Sequence, residues 1–176
     1  MAAYLTLYCA RPVSHVNSKD VLTGMDYTRL AAEAADWDFT DREQIDSALA
    51  NLRVSTSKAL WKAFHVGFRP DQRSGVPVLL IAEPARVAEC LEGALSSLAG
   101  APGPKAEQVR ERLRRTVECV SIRLGWDEID MGYAIGWLAA GFFARLGDAV
   151  ILDPYDNWVT FAADSLVVLY RPDQDG

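Results

Sequence analysis

The sequence lacks the short motifs that usually identify an enzyme or a cofactor site. It contains no GxGxxG, GxxxxGKS/T, HExxH or GxSxG pattern, so the signals for nucleotide binding, zinc proteolysis and a serine nucleophile elbow are missing. No EF-hand calcium loop occurs. Histidine is present only at His15 and His65, which leaves two candidate positions for a histidine general base. We therefore expect no catalytic residue, no cofactor and no metal ion.

Cysteine is scarce, and Cys9, Cys90 and Cys119 are the whole set. They are odd in number, far apart in the chain and without CxxC spacing, which argues against a zinc or redox motif. Each lies in an apolar stretch, so we expect three buried thiols that act as small hydrophobic side chains. A reducing cytoplasm is the expected location.

Long hydrophobic runs are also absent. The longest uncharged apolar run covers residues 131–144, fourteen residues, whereas a helix needs about 20 apolar residues to cross a bilayer. This run is expected to form a buried core helix. Residues 1–9 lack the basic and long apolar regions of a signal peptide, so neither export nor membrane anchoring is expected.

The hydrophobic patterns predict an α+β fold in a single domain, residues 1–176. The chain has 176 residues, half of them apolar, which is enough to bury one core. Expected strands cover about residues 3–9, 64–68, 76–82, 117–124, 149–153, 158–162 and 166–170, and expected helices about 26–36, 40–52, 84–98, 105–116 and 127–146. This order predicts a mixed sheet of about six or seven strands with helices packed on it. Residues 101–104 form the clearest internal linker.

The net charge of the chain is confined to one segment. Residues 20–46 contain eight acidic and two basic residues, and the rest of the chain contains sixteen of each. A face of one sign steers a basic partner and repels nucleic acid and anionic membranes. The basic residues between Arg110 and Arg115 are interspersed with acids, so we expect a surface helix of mixed charge and no nucleic-acid site.

Two aromatic residues lie among the carboxylates of this acidic segment. The residues concerned are Asp36, Trp37, Asp38, Phe39, Asp41 and Glu43, here called the acidic strip. Buried aromatic anchors carry binding energy in protein interfaces, while charges steer the encounter. The acidic strip is therefore the predicted partner-binding site. The structural alternative is a tryptophan packed under the junction of two helices.

A second interpretation is a metal-assisted hydrolase. Asp127 and Asp130 lie where an apolar helix is expected to begin, and Asp153 and Asp156 flank a turn after the following strand. These carboxylates would hold a divalent ion if the turn folded back towards the helix. The alternative is helix capping by Asp127 and turn chemistry at Asp153 and Asp156.

A third interpretation is a self-associating adaptor. Gly132, Gly136 and Ala140 recur at helical spacing and form a ridge of small residues on the apolar helix. Such a ridge permits close approach of another backbone, which is either the sheet of the same chain or a second copy in a homodimer.

Residues 126–157 carry a resemblance to a known group. In WDEIDMGYAIGWLAAGFFARLGDAVILDPYDN, an apolar helix ends in a glycine and leads into a strand closed by Asp-Pro. This pattern is similar to small bacterial proteins of the immunity type, the partners of secreted antibacterial toxins. The resemblance implies a non-enzymatic partner of a toxin. Together with the acidic segment, it gives the leading hypothesis of a binding protein that neutralises a cognate toxin by masking a basic surface. The resemblance transfers no site residues.

Overall fold

A computed structural model describes residues 3–25, 47, 50–56, 63–67, 76–124, 131–162 and 165–175. The strands are β1 (Ala3–Cys9), β2 (Arg53–Thr56), β3 (Ala63–Gly67), β4 (Val76–Ile81), β5 (Glu118–Leu124), β6 (Ala149–Leu152), β7 (Trp158–Ala162) and β8 (Ser165–Tyr170). The helices are α1 (Ser18–Gly24), α2 (Pro84–Ser97), α3 (Gly103–Leu113), α4 (Met131–Gly147) and α5 (Pro172–Asp175).

The eight strands of the described residues form one open antiparallel sheet with helices packed on it. Their order is β2-β3-β4-β5-β1-β6-β7-β8. The α+β class is confirmed, and the sheet is slightly larger than the expected six or seven strands. The additional strand is β2, a four-residue segment in which Val54 is the only aliphatic residue. Such a short segment carries no usable alternation of apolar and polar residues.

The chain divides into two compact units. The first contains Met1–Ala3, Val16–Leu79 and Ile122–Phe142, and the second contains Tyr4–His15, Leu80–Ser121 and Phe143–Gly176. Strands β1, β4 and β5 and helix α4 contribute residues to both units. The single domain over residues 1–176 stays a prediction.

In the first unit, β2, β3 and β4 are consecutive antiparallel strands with one strongly apolar face. Phe64 lies opposite Val78, and Val66 lies opposite Val76. All four side chains are buried. Because alternate residues of a strand share a face, these pairs form a continuous apolar layer across β3 and β4.

The small residues of α4 face the sheet within the first unit. A Cβ atom on Gly136 would overlap the Leu124 side chain and would lie 3.7 Å from Ile122 Cγ2. Ala140 is fully buried. At Gly136 the helix therefore approaches β5 more closely than a larger residue would permit. This geometry favours the sheet-packing interpretation of the small-residue ridge.

In the second unit, β1, β6 and β7 carry buried side chains on both faces. Leu7 lies opposite Ile151, which lies opposite Val159, and these residues define face A. Tyr8 lies opposite Val150 on the other side, face B. All five side chains are buried. The strands at the centre of this unit are therefore covered on both sides.

Each face of the second unit has its own helical cover. Gly147, the last residue of α4, lies so close to Cys9 on face A that an added Cβ would be 2.8 Å from its sulfur. On face B, Arg112 of α3 donates a hydrogen bond to Thr160 Oγ1 at 3.4 Å. The end of α4 and the middle of α3 thus lie on opposite sides of the strands.

The connection between α2 and α3 is held by one arginine. Arg110 donates hydrogen bonds to the carbonyl oxygens of Leu98, at 2.8 Å, and Ala101, at 3.1 Å. Carbonyl groups at the end of a helix have no partner inside the helix. The Arg110 side chain supplies hydrogen-bond donors to these carbonyl groups at the end of α2. The expected linker at residues 101–104 is wrong in its second half, because α3 begins at Gly103.

Two glycine substitutions test the packing of Gly147. We expect Gly147→Ala to lower the free energy of unfolding by about 1–3 kcal/mol, because overpacking a buried contact forces backbone shifts. The atoms nearest to the new methyl would be the sulfur and Cβ of Cys9, at 2.8 and 2.9 Å. Gly93→Ala is the control, since no atom lies within 4 Å of its added Cβ. Alanine favours the α2 helix there by about 0.5–1 kcal/mol. Urea denaturation should give opposite signs for the two variants, and equal signs would contradict this account.

Candidate functional site

The acidic strip lies outside the described residues, as do most acids of its segment. Of the eight acidic residues in the segment 20–46, Asp20 alone is described. Its carboxylate accepts the Asn17 N–H at 3.1 Å, and its own N–H donates to Asn17 Oδ1 at 3.0 Å. This reciprocal pair is a capping box at the start of α1, so the Asp20 carboxylate has a structural role. The acidic strip stays a prediction.

The turn between β6 and β7 engages the carboxylate of Asp153. Its Oδ1 accepts the N–H groups of Tyr155 and Asn157, both at 2.8 Å, and its Oδ2 accepts Asn157 Nδ2–H at 3.0 Å. Asp156 is exposed and has a φ of 63°, a turn conformation that aspartate tolerates. Turn chemistry therefore accounts for both residues. The other two proposed metal ligands, Asp127 and Asp130, lie outside the described residues.

Acidic side chains pair with the arginines at and after the end of α3. Glu107 accepts hydrogen bonds from Arg110 Nε at 2.8 Å and from an Arg114 terminal nitrogen at 3.1 Å. These two bonds lower the pKa of the Glu107 carboxyl. Asp148, beyond α4, pairs with Arg112 at 3.2 Å and with Arg115 at 3.7 Å. The helix therefore presents paired charges, which agrees with the expectation of mixed charge.

A buried carboxylate joins β5 to the loop after β1. Glu118 is 9 % exposed. Its Oε2 accepts the N–H groups of Val13, at 2.7 Å, and Ser14, at 2.8 Å, and its Oε1 accepts the Ser14 hydroxyl at 2.7 Å. These bonds satisfy two backbone donors that the loop itself leaves unpaired. The only sequence signal for this contact is an acidic residue at the start of a strand in which apolar residues predominate.

The three cysteines differ in how far they are buried. Cys9 and Cys119 are fully buried, as expected, whereas Cys90 on α2 is only half-buried. Burial raises the pKa of the Cys119 thiol to about 12, and the Cys90 thiol and the Glu118 carboxylate add to the rise. All three thiols are free.

The two histidines lie in different compact units. His15 is exposed in the loop after β1. His65 is half-buried on β3, opposite Ser55 of β2 and Pro77 of β4, and its buried Nδ1 has no hydrogen-bond partner. Within the described ranges, no group of three or more His, Cys, Asp or Glu side chains could hold a metal ion.

Strand β8 has an exposed apolar half and lies at the end of the strand order. Leu166, Val167 and Val168 are 41 %, 38 % and 38 % exposed. A register shift between β7 and β8 leaves Leu169 as an extra residue, and Leu169 and Tyr170 are both buried. Such a bulge limits regular pairing along an edge strand. Residues 165–168 contain neither a charge nor a proline, the usual protection of a sheet edge.

No helix among the residues with a described structure is both long and apolar enough to cross a membrane.

Removal of the Glu118 carboxylate should lower the free energy of unfolding. We expect Glu118→Ala to lower the free energy of unfolding by about 3 kcal/mol, because it leaves the Val13 and Ser14 N–H groups without their buried acceptor. Glu111→Ala is the control, since Glu111 is exposed on α3. Urea denaturation measures both. A loss at Glu118 no larger than that at Glu111 would show that the loop finds other partners.

The exposed edge of β8 is expected to promote self-association of the protein at high concentration. Leu166→Glu should suppress it, because a charge on an edge strand opposes pairing with another strand. Leu166 lies opposite Phe161, whose ring is 6.0 Å from the Arg145 guanidinium, so a cation is near the new carboxylate. Light scattering across a concentration series measures the effect, with thermal unfolding as the control for stability. Unchanged scattering in a stable variant would refute this role of the edge.

Comparison with known proteins adds no relative to these observations: no family model, curated protein or solved structure matches the chain. No site residue is therefore transferred from another protein.

Proposed function

We propose that this chain is a non-enzymatic binding protein that neutralises a cognate bacterial toxin by masking a basic surface. The observation that carries the proposal is the segregation of charge. Residues 20–46 hold an excess of six acids, and the rest of the chain is balanced. A one-signed segment of this kind attracts a partner of opposite charge and raises the rate of encounter.

The charge pairing of α3 supports this proposal. Glu107 and Asp148 together pair with four arginines, so each of these arginines has an acidic partner within the chain. The excess of acids in residues 20–46 has no corresponding excess of bases elsewhere. Its compensation would then come from another molecule, and a basic protein surface is the partner that fits. The toxin class rests on the resemblance of residues 126–157, and the cytoplasm is the proposed location.

The acidic strip is the proposed contact surface. Asp36, Trp37, Asp38, Phe39, Asp41 and Glu43 combine two aromatic side chains with four carboxylates. In interfaces of this composition the aromatic residues supply most of the affinity, and the carboxylates set the rate and the salt dependence of association. Binding should therefore weaken as the ionic strength rises.

The first experiment identifies the partner. The purified protein serves as bait in lysate of its own source at low and at high salt, and retained proteins are identified by mass spectrometry. We expect a basic protein in stoichiometric amount that high salt releases. A retained partner that is acidic, or whose binding is insensitive to salt, would contradict the proposal.

A matched pair of variants then tests the acidic strip. The strip variant carries Asp36→Asn, Trp37→Ala and Asp38→Asn. The control carries Glu89→Gln, Glu92→Gln and Tyr155→Ala, which remove the same charge and one aromatic ring at exposed positions. We expect the strip variant to raise the Kd at least about 30-fold, the effect of losing one hot-spot residue, and the control to change it less than about threefold. Calorimetry measures both, with thermal unfolding as the test of folding. Equal affinities of a folded strip variant and the wild type would exclude the strip.

A further inference from the structure

The outer edge of β8 has no neighbour among the described strands. In the strand order, β8 follows β7 and ends the sheet. Its first four residues, 165–168, are all exposed, and three of them are large and apolar. Proteins usually protect such an edge with charges, prolines or a covering segment. An apolar edge without charge or proline is a surface on which another strand can pair.

Two residues of β8 direct their backbone groups away from β7. A connection of two residues joins these strands, and Ala162 lies opposite Ser165 across it. A two-residue connection closes with a hydrogen-bonded pair, so the Ser165 backbone binds β7. Bonding to one neighbour alternates along an antiparallel strand. The Val167 backbone therefore also binds β7, and the N–H and C=O groups of Leu166 and Val168 point outwards.

The side chains of this edge are apolar on both faces of the sheet. Val168 lies opposite Val159, a residue of face A. Leu166 lies two residues before Val168 and shares that face, whereas the Val167 side chain points to face B. A strand added beyond β8 would therefore remove apolar surface from water on both faces, which is favourable.

We propose that β8 pairs with β8 of a second copy of this chain, antiparallel about a two-fold axis at Val167. Residues whose backbone groups point outwards must meet one another, so Leu166 of each copy lies opposite Val168 of the other. The two copies of Val167 then face each other on the axis. This register uses all three exposed apolar residues. The proposal goes beyond the proposed binding function and does not depend on it.

The charges in and around β8 favour a second copy as the occupant. A two-fold axis places a residue beside its own copy, so a charged residue there would meet a like charge. Residues 165–168 carry no charge. In the sequence, Asp164 precedes the strand and Arg171 follows it. Antiparallel pairing brings the beginning of one strand beside the end of the other, so acid and base are matched at both ends of the pair.

Pairing of β8 with itself gives a dimer and no series of larger species. The two ends of the strand order are β2 and β8. Pairing of β8 with β2 of another copy would leave an unused β8 edge and generate an open series, whereas pairing of β8 with β8 uses both. The paired segment is only four residues long, so the interface is smaller than that of a stable dimer. We expect a Kd on the order of 100 µM.

Analytical ultracentrifugation of the full-length protein tests the assembly, at concentrations from about 10 µM to 1 mM, on both sides of the expected Kd. We expect a reversible equilibrium of monomer and dimer. Val167→Lys should raise the Kd at least about tenfold, because two lysines would meet on the axis. Val117→Lys is the control, since Val117 is 48 % exposed and lies outside β8. A monomer throughout, growth into larger species, or a dimer unaffected by Val167→Lys would overturn the proposal.

Cysteine cross-linking tests the register in a Cys90→Ser background, where the remaining native thiols, Cys9 and Cys119, are buried. Val167→Cys should form an interchain disulfide on mild oxidation, because the Cα atoms of such a pair lie about 4.5 Å apart. Val168→Cys is the control. Both valines are 38 % exposed, but the two copies of residue 168 are two positions out of register, more than about 7 Å apart, which is too far for a disulfide.

The expected result is a dimeric product for Val167→Cys and little for Val168→Cys, measured by intact mass and non-reducing electrophoresis. Equal cross-linking of the two variants, or none at Val167→Cys, would overturn the proposed register. If Val167→Lys fails to fold, the comparison of the two cysteine variants decides the outcome.

Discussion

Burial of the central strands on both faces is the constraint on which the second unit depends. Strand β1 carries Leu7 on face A and Tyr8 on face B, and both side chains are buried. A polar group in such a layer needs a partner inside the protein. Glu118 finds it in the N–H groups of the loop after β1, and Thr160 donates its hydroxyl hydrogen to the Ala149 carbonyl at 2.7 Å. The same burial keeps two of the three thiols away from solvent.

The charged side chains on and near α3 are arranged in local pairs of opposite charge. The bases of α3 have nearby acids, and Arg110 also closes the end of α2 through the Leu98 carbonyl. Lys105 pairs with Asp175 at 2.7 Å, a contact that lowers the pKa of the Asp175 carboxyl and holds α5 beside α3. Local compensation of this kind stabilises little at an exposed surface. Residues 20–46 carry the whole net charge, since acids and bases are equal in number over the rest of the sequence.

Elements with long, clear periodicity could be predicted from the sequence, and contacts between distant residues could not. The expected strand at residues 3–9 matches β1, and the expected strand at 76–82 differs from β4 by one residue. Helix α1 and strand β2 were missed because seven and four residues are too few for a pattern. The Glu118 contact joins residues about 100 positions apart, and only tertiary packing creates it. The acidic strip follows from composition alone and stays a prediction.

The position of β1 between β5 and β6 has a consequence for how the chain folds during synthesis. Both neighbours of β1 are made late, since β5 begins at Glu118 and β6 at Ala149. At about 5–20 residues per second, the ribosome needs roughly 6–20 s to synthesise the chain between β1 and β5. Throughout this interval Leu5 and Leu7, fully buried in the folded protein, lack both native partner strands of β1. The nascent chain would therefore offer this apolar segment to a chaperone before the sheet can form.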